Sequence, residues 1–214
     1  MNTPQPGTGD GAITTLQSLR PRGRDFRMFV APQDRDRYEQ RSYKPFTADF
    51  LARILLSAEL FVDVGAHYGF FSLLAGSLHP KLKILAIEPA PDTCTLLRRN
   101  IALLNTSNVD LHQVAASDVA GRAKLVVSAA ADECGFYTRP GAPALPPIDV
   151  ETITVDSLLK SLDLSSLVVK ICARGSELAI LKGMAETFER IRDVKLIIEF
   201  NAEMQIVAGL RLDA

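Results

Sequence analysis

The stretch from Leu60 to Leu78 constrains this chain more than any other part of it. Leu60-Phe-Val-Asp-Val64 is an apolar run interrupted only by Asp63, and Gly65-Ala-His-Tyr-Gly69 follows as a turn. The run reads as a buried strand, Gly65 permits a tight turn, and Phe70 to Leu78 reads as the next helix. The rhythm then repeats. Lys83-Ile-Leu-Ala-Ile87 is a second buried run, closed by Glu88. Pro91 to Leu104 is a helix with Leu97, Ile101 and Leu104 on one face. Pro91 suits the first turn, where a missing amide proton costs nothing. Strand and helix in alternation, with continuous apolar strands, predict an α/β fold whose mostly parallel sheet carries helices on both faces.

The same alternation continues downstream. Val109–Ala116 reads as a third strand, Lys124–Val127 as a fourth and Leu167–Ile171 as another. A helix follows with Leu181, Met184, Phe188 and Ile191 on one face, and Val194–Phe200 closes the series. Upstream, residues 1–24 are rich in Thr, Pro, Gly and Arg without a hydrophobic period, and read as a flexible tail. Asp34–Tyr43 is densely charged, helix or loop. Phe46–Leu56 places Phe50, Leu51, Ile54 and Leu55 on the buried face of a helix. The expected organisation is a tail (1–24), an N-terminal helical or loop cap (25–57), a ligand-binding domain (58–200) and a short C-terminal segment (201–214). No internal repeat is found. Residues 131–149 hold four prolines and two glycines, a long interruption that reads either as a lid over the site or as a solvated insertion.

Composition narrows the classes. Hydrophobic residues make up 47%, charged residues 23%, and the formal net charge is −1, which is a globular composition without the basic field that nucleic acid requires. No run approaches the roughly 18 apolar residues of a membrane span. Cys94, Cys134 and Cys172 are far apart and form no C-x-x-C pair, so neither a metal site nor a disulfide framework is expected. Unpaired cysteines and an N-terminus without a signal pattern predict a cytoplasmic protein.

Ligands of open parallel sheets sit outside the carboxyl ends of the strands, where the strand order reverses. Gly65, Ala66 and His67 occupy such an end, and the helix starting near Gly69 offers free amide protons suited to a carboxylate. Asp63 supplies an acceptor for an ammonium group. A ligand with both groups, such as the methionine portion of S-adenosylmethionine (SAM), fits this pairing. Glu88, 25 positions after Asp63, is placed to accept two ribose hydroxyls, and Ser117 and Asp118 follow the third strand where an adenine would be met. A nicotinamide or flavin dinucleotide is disfavoured, because its second loop glycine is replaced by His67, whose imidazole obstructs a pyrophosphate. His67 itself reads as a hydrogen-bonding residue or as a base. Together these features point to a Rossmann-like, class I SAM-binding fold.

With these residues assembled, the chain resembles the FkbM-type methyltransferase family between about Tyr43 and Phe200. The resemblance rests on Phe61-Val-Asp-Val-Gly-Ala-His-Tyr-Gly-Phe-Phe-Ser72, Ala86-Ile-Glu-Pro89, Ala115-Ala-Ser-Asp118 and Val155-Asp-Ser-Leu158. Lys170-Ile171, Gly175-Ser-Glu-Leu178 and Leu181-Lys-Gly183 continue it. It implies a SAM-dependent enzyme that methylates a hydroxyl, on a small molecule or a glycan, with Asp63, Gly65, Gly69, Glu88 and Asp118 around the cofactor. Glu177 and Glu199, near strand ends, are the candidates for a base. Two departures stand out. His67 replaces the Asn usual in the first motif, and Cys172 and Arg174 replace two carboxylates of the K-I-D-x-E-G-x-E motif. The second departure motivates a rival expectation, a catalytically degenerate binding module. Only 14 residues follow Phe200, too few for the antiparallel edge hairpin of a class I methyltransferase. The expectation is either a truncated C-terminal segment or a second copy or partner chain covering the exposed sheet edge.

Overall fold

In the computed structural model, which describes residues 15–19, 26–39, 43–126, 135–137 and 146–209, the chain enters through an antiparallel strand pair, β1 (Thr15–Leu19) and β2 (Phe26–Val30). Helix α1 (Arg35–Glu39) and helix α2 (Pro45–Ile54) lead into the strand-and-helix series. That series runs β3 (Leu60–Val64), α3 (Phe70–Leu78), β4 (Lys83–Ile87), α4 (Pro91–Leu104), β5 (Val109–His112), β6 (Ala115–Ala116) and β7 (Gly121–Leu125). It continues with β8 (Ile148–Ile153), α5 (Val155–Leu159), β9 (Ser166–Ile171), α6 (Glu177–Lys182), α7 (Ala185–Arg190), β10 (Asp193–Ile198) and α8 (Ala202–Val207).

The main sheet has the order β10-β9-β3-β4-β5, and every pairing in it is parallel. Because side chains alternate along a strand, each strand feeds two cores. Phe61, Ile84, Ala86 and Val168 pack on one face against Leu51, Leu74, Leu97 and the β2 residues Met28 and Val30. Leu60, Val62, Val64, Leu85, Val169 and Ile171 pack on the other against Val155, Leu159, Ile180 and Met184. Strand β3 lies between β4 and β9, so the order reverses there and the loops after these strands splay apart. A small second sheet, β6-β8-β7, stands beside the first. Among the described residues no helix is long and apolar enough to cross a membrane.

Several elements differ from the reading of the sequence. Thr15–Leu19, assigned to the flexible tail, is a strand, and Phe26–Val30 adds a strand to the region expected to be a helical or loop cap. The short run at 15–19 has no pattern of its own to reveal it; pairing with β2, whose Met28 and Val30 are fully buried, supplies the ladder. Helix α2 buries Ala48, Leu51 and Ala52, while Phe46 and Phe50 stay 89% and 54% exposed. The expected third strand breaks after His112, and its last two residues join the second sheet. Strand β8 was not foreseen, and the helix after β9 divides in two at Gly183–Met184. Of the interruption at 131–149, only 135–137 and 146–149 fall among the described residues. Beyond β10, which forms one edge of the described main sheet, the chain turns into α8.

Gly65 holds the turn at the switch point. Its φ of 73° lies in the left-handed region, and a Cβ there would sit 2.0 Å from the carbonyl oxygen of Cys172, just past β9. Gly65→Ala therefore combines backbone strain with a collision against main chain. It should cost about 3 kcal/mol or more in denaturant unfolding. Unchanged stability would contradict this account of the turn.

Candidate functional site

At the carboxyl ends of β3, β4 and β9 the loops enclose a cavity of about 410 Å3, within the range of small-molecule sites. One end is apolar around a single carboxylate. Ile87, Ala116, Leu125, Phe136 and Ile180 line the cavity together with Glu88. Oε1 of Glu88 accepts the Ala90 amide at 3.0 Å and Oε2 accepts the His67 amide at 2.9 Å. Burial pushes the Glu88 carboxyl up to about 7, in spite of those two bonds. His67 is held in the left-handed region at φ 54°, which turns its amide onto Glu88, and its Nδ1 lies 3.3 Å from the Tyr38 hydroxyl.

The other end is aromatic and charged. Tyr38 and Tyr43 stack at 4.4 Å between centroids, and Tyr43 meets Phe70 edge-on at 5.0 Å. Below them Lys170 is almost fully buried, 3.3 Å from Asp63 Oδ1 and over the Phe71 ring at 4.8 Å. Burial alone would lower the Lys170 ammonium. The carboxylates of Asp63 and Glu199 outweigh it and hold the group above its ordinary value. Glu199, immediately after β10, pairs with Lys44 and receives the Cys172 thiol at 3.3 Å. Burial would raise the Glu199 carboxyl, but the charges of Lys170 and Lys44 overcome that and keep it below the usual range. Burial pushes the Cys172 thiol up, so it stays protonated and donates.

The structure sorts the residues singled out from the sequence. Gly65, Ala66, His67, Glu88, Glu177 and Glu199 line the cavity. Asp63 does not: it is fully buried, engaged by Lys170 on one oxygen and by the Ser72 hydroxyl at 2.7 Å on the other. Its role as a direct acceptor for a ligand ammonium is replaced by one inside the core. Gly69 caps α3 at φ 92° with the Leu97 side chain against its open side, and shapes the loop from behind. Ser117 and Asp118 lie outside the walls. The break after β5 sends the chain toward β8, where the Ser117 amide bonds to Ile153, and Asp118 is exposed. Ala115 and Ala116 line the cavity in their place. Glu177 is not a free base, because the amides of Ala173 and Gly175 and the side chain of Gln205 all donate to it. It clamps the turn that carries Arg174, itself left-handed at φ 44°. Sequence reasoning missed Tyr38, Tyr43 and Lys44. Tyr38 lies in α1 and Tyr43 and Lys44 just before α2, far from the motifs in the chain, and only the fold brings Lys44 onto Glu199.

Among known proteins, the family model described as the methyltransferase FkbM domain matches residues 63–208. Methyltransferase 1 of Beauveria bassiana is 30% identical over 158 residues, covering 70% of this chain and 57% of that protein. Methyltransferase sdnD of Sordaria araneosa is 44% identical over 68 residues, covering 31% of this chain and 26% of that protein. The chain thus spans little more than half the length of the first of these relatives and about a quarter of the second. Among solved structures, a precorrin-6y C5,15-methyltransferase from Geobacter metallireducens aligns over 80% of this chain and 71% of its own at 16% identity and a TM-score of 0.46. An rRNA methylase from Streptococcus thermophilus aligns over 78% of each chain at 13% identity and a TM-score of 0.43.

The raised Glu88 carboxyl makes a prediction about stability. A group with a folded pKa of about 7 against an ordinary 4.5 favours the fold while protonated, and that benefit is lost as pH rises through 7. Glu88→Gln removes the titration. Relative to the wild type, the variant should gain about 3 kcal/mol between pH 4 and pH 8, read by denaturant unfolding at both values. A pH-independent difference would mean that Glu88 is ionised and solvated in the fold.

Proposed function

The chain belongs to the methyltransferase FkbM domain family, and from that premise we propose that it is a SAM-dependent O-methyltransferase acting on a hydroxyl of a small molecule or glycan. The observation that carries this reading is Glu88, a buried carboxylate at a strand end, inside an apolar slot, at the sheet's switch point.

The residues present fit the cofactor. Glu88 has used one lone pair of each oxygen on amides of its own chain, and each oxygen keeps another with which to accept a ribose hydroxyl. The apolar side chains among the lining, Ile87, Leu125, Phe136 and Ile180, suit a purine. Gly65 and Ala66 bring main chain to the cavity surface without a bulky side chain between. The cofactor, when bound, supplies an electrophilic methyl group. The chain's part is to hold the methyl donor and the acceptor oxygen in line and to keep water out, and such positioning supplies much of the acceleration in a displacement of this kind. The aromatic end, with Tyr43, Phe70 and Phe71, is where an acceptor ring would lie.

A second reading, binding without methyl transfer, is favoured by Cys172 and Arg174, which put a thiol and a guanidinium where the resemblance to the K-I-D-x-E-G-x-E motif leads one to expect carboxylates. Calorimetric titration with S-adenosylhomocysteine, with NADH as control, tests the cofactor. Micromolar binding of the first alone is expected. Affinity should weaken up to tenfold per pH unit below about 7, because ribose hydroxyls donate to the ionised Glu88. No binding by the folded chain would reject the cofactor. Binding with no transfer to any hydroxyl would favour the second reading.

A further inference from the structure

We propose that Glu199 is the catalytic residue that takes the proton of the acceptor's hydroxyl, standing in from β10 for the carboxylate that Cys172 lacks on β9, and that the acceptor is a neutral O–H compound rather than a carboxylate. The inference rests on the methyl-transfer reading above.

Strands β9 and β10 are paired in register up to Ile171 and Ile198, and the Glu199 amide then donates to the Ile171 carbonyl at 2.9 Å. Glu199 and Cys172 are therefore level with each other at the floor of the cavity, and the thiol donates to Glu199 Oε2 at 3.3 Å. A thiol is smaller than a carboxymethyl group and leaves room for its neighbour. The floor therefore carries a negative charge, on Glu199, although position 172 holds a thiol.

Oε1 of Glu199 is shielded and has no hydrogen-bond partner among the described residues. A buried acceptor without a donor is costly, and a turn of the partly exposed carboxylate that brings this oxygen to the cavity, where an incoming hydroxyl donates to it, removes the cost. The terminal torsion of a glutamate is soft, so either oxygen can meet that hydroxyl. The groups facing the carboxylate are Lys44 from the segment before α2 and Lys170 and Cys172 from β9. Both ammonium groups already hold carboxylates, Lys44 that of Glu199 and Lys170 that of Asp63. Arg37 and Arg174, which also line the cavity, have partners of their own, so an acceptor arriving with its own negative charge would meet the repulsion of Glu199, whereas an O–H is received by it.

In the step, the acceptor oxygen bonds to the methyl carbon as its proton passes to Glu199. The carbon–sulfur bond breaks with its electron pair going to sulfur. The products are a methyl ether, S-adenosylhomocysteine and protonated Glu199, which returns its proton to water. Cys172 is a positioning residue that steadies the carboxylate, and Lys44 keeps it ionised.

The test uses the full chain with SAM carrying a tritiated methyl group. The probes are phenol, cyclohexanol and methyl β-glucoside as hydroxyl acceptors, and benzoate as the carboxylate. S-Adenosylhomocysteine affinity is measured in parallel by calorimetry for the wild type, Glu199→Gln and Lys44→Met. The expected result is transfer to at least one hydroxyl probe and none to benzoate. Glu199→Gln should lower kcat about 100-fold or more, with KM for the probe and cofactor affinity nearly unchanged. Lys44→Met should move the acid limb of the kcat profile to higher pH, a shift that a merely structural role would not produce. Transfer to benzoate, full kcat in Glu199→Gln, or no transfer to any hydroxyl by a chain that binds S-adenosylhomocysteine would each overturn the proposal. Failure to bind S-adenosylhomocysteine would instead overturn the reading beneath it.

Discussion

Asp63 and Lys170 face each other across the two central strands, paired in the ladder and 3.3 Å apart in a core that excludes solvent from both. Two charges removed from water carry a desolvation cost of several kcal/mol each, which is offset only when every remaining lone pair and proton is satisfied. Here Ser72 donates to the second carboxylate oxygen and the Phe71 ring lies against the ammonium, so the pair ties β3, β9 and α3 at one point. Losing either partner would strand the other charge, at about 3–5 kcal/mol. A slip of β9 by one residue would do the same, because it would turn Lys170 to the opposite face. The pair thus fixes the register that levels Gly65 with Cys172, and so fixes the floor of the cavity.

That floor explains how the departures from the family pattern coexist with an otherwise ordered site. Cys172 and Arg174 differ from the carboxylates expected from the motif resemblance, but the turn that carries them is held by Glu177 through the amides of Ala173 and Gly175. Charge balance is kept locally: Asp63 with Lys170 on the central strands, Glu199 with Lys44 at the sheet edge. The two halves of the cavity then differ in kind. The Glu88 end holds one carboxylate in apolar walls, and the Lys44 end holds aromatic rings over paired charges.

The parts of this architecture legible in the sequence are those whose burial is continuous. β3, β4, α3 and α4 announce themselves because the strands are apolar throughout and the helices follow turns made by Gly65 and Pro91. Glu88 was legible for the same reason, since a carboxylate closing a buried run can only lie at its end. Other elements depend on partners distant in the chain. β1 exists through β2, and the end of the expected third strand crosses to the second sheet, which takes Ser117 and Asp118 away from the cavity. The buried face of α2 differs at Phe50, which looks like a core residue and is 54% exposed, while Leu51 and Leu55 are buried. Asp63 was read as a ligand contact because nothing in its own motif reveals Lys170, 107 residues away.

Three residues of the cavity wall, Lys44, His67 and Arg174, adopt left-handed backbone geometry without being glycine. Each such conformation costs of order 1–3 kcal/mol and persists only where the surroundings enforce it. The enforcement comes from the strands, while the strain resides in the loops, so local preference and tertiary demand oppose each other around the whole rim. Regions of this kind sit at the low end of a protein's internal stability scale. The wall of the cavity is therefore the place where this fold should yield first, with its amides exchanging with solvent while the sheet beneath stays closed.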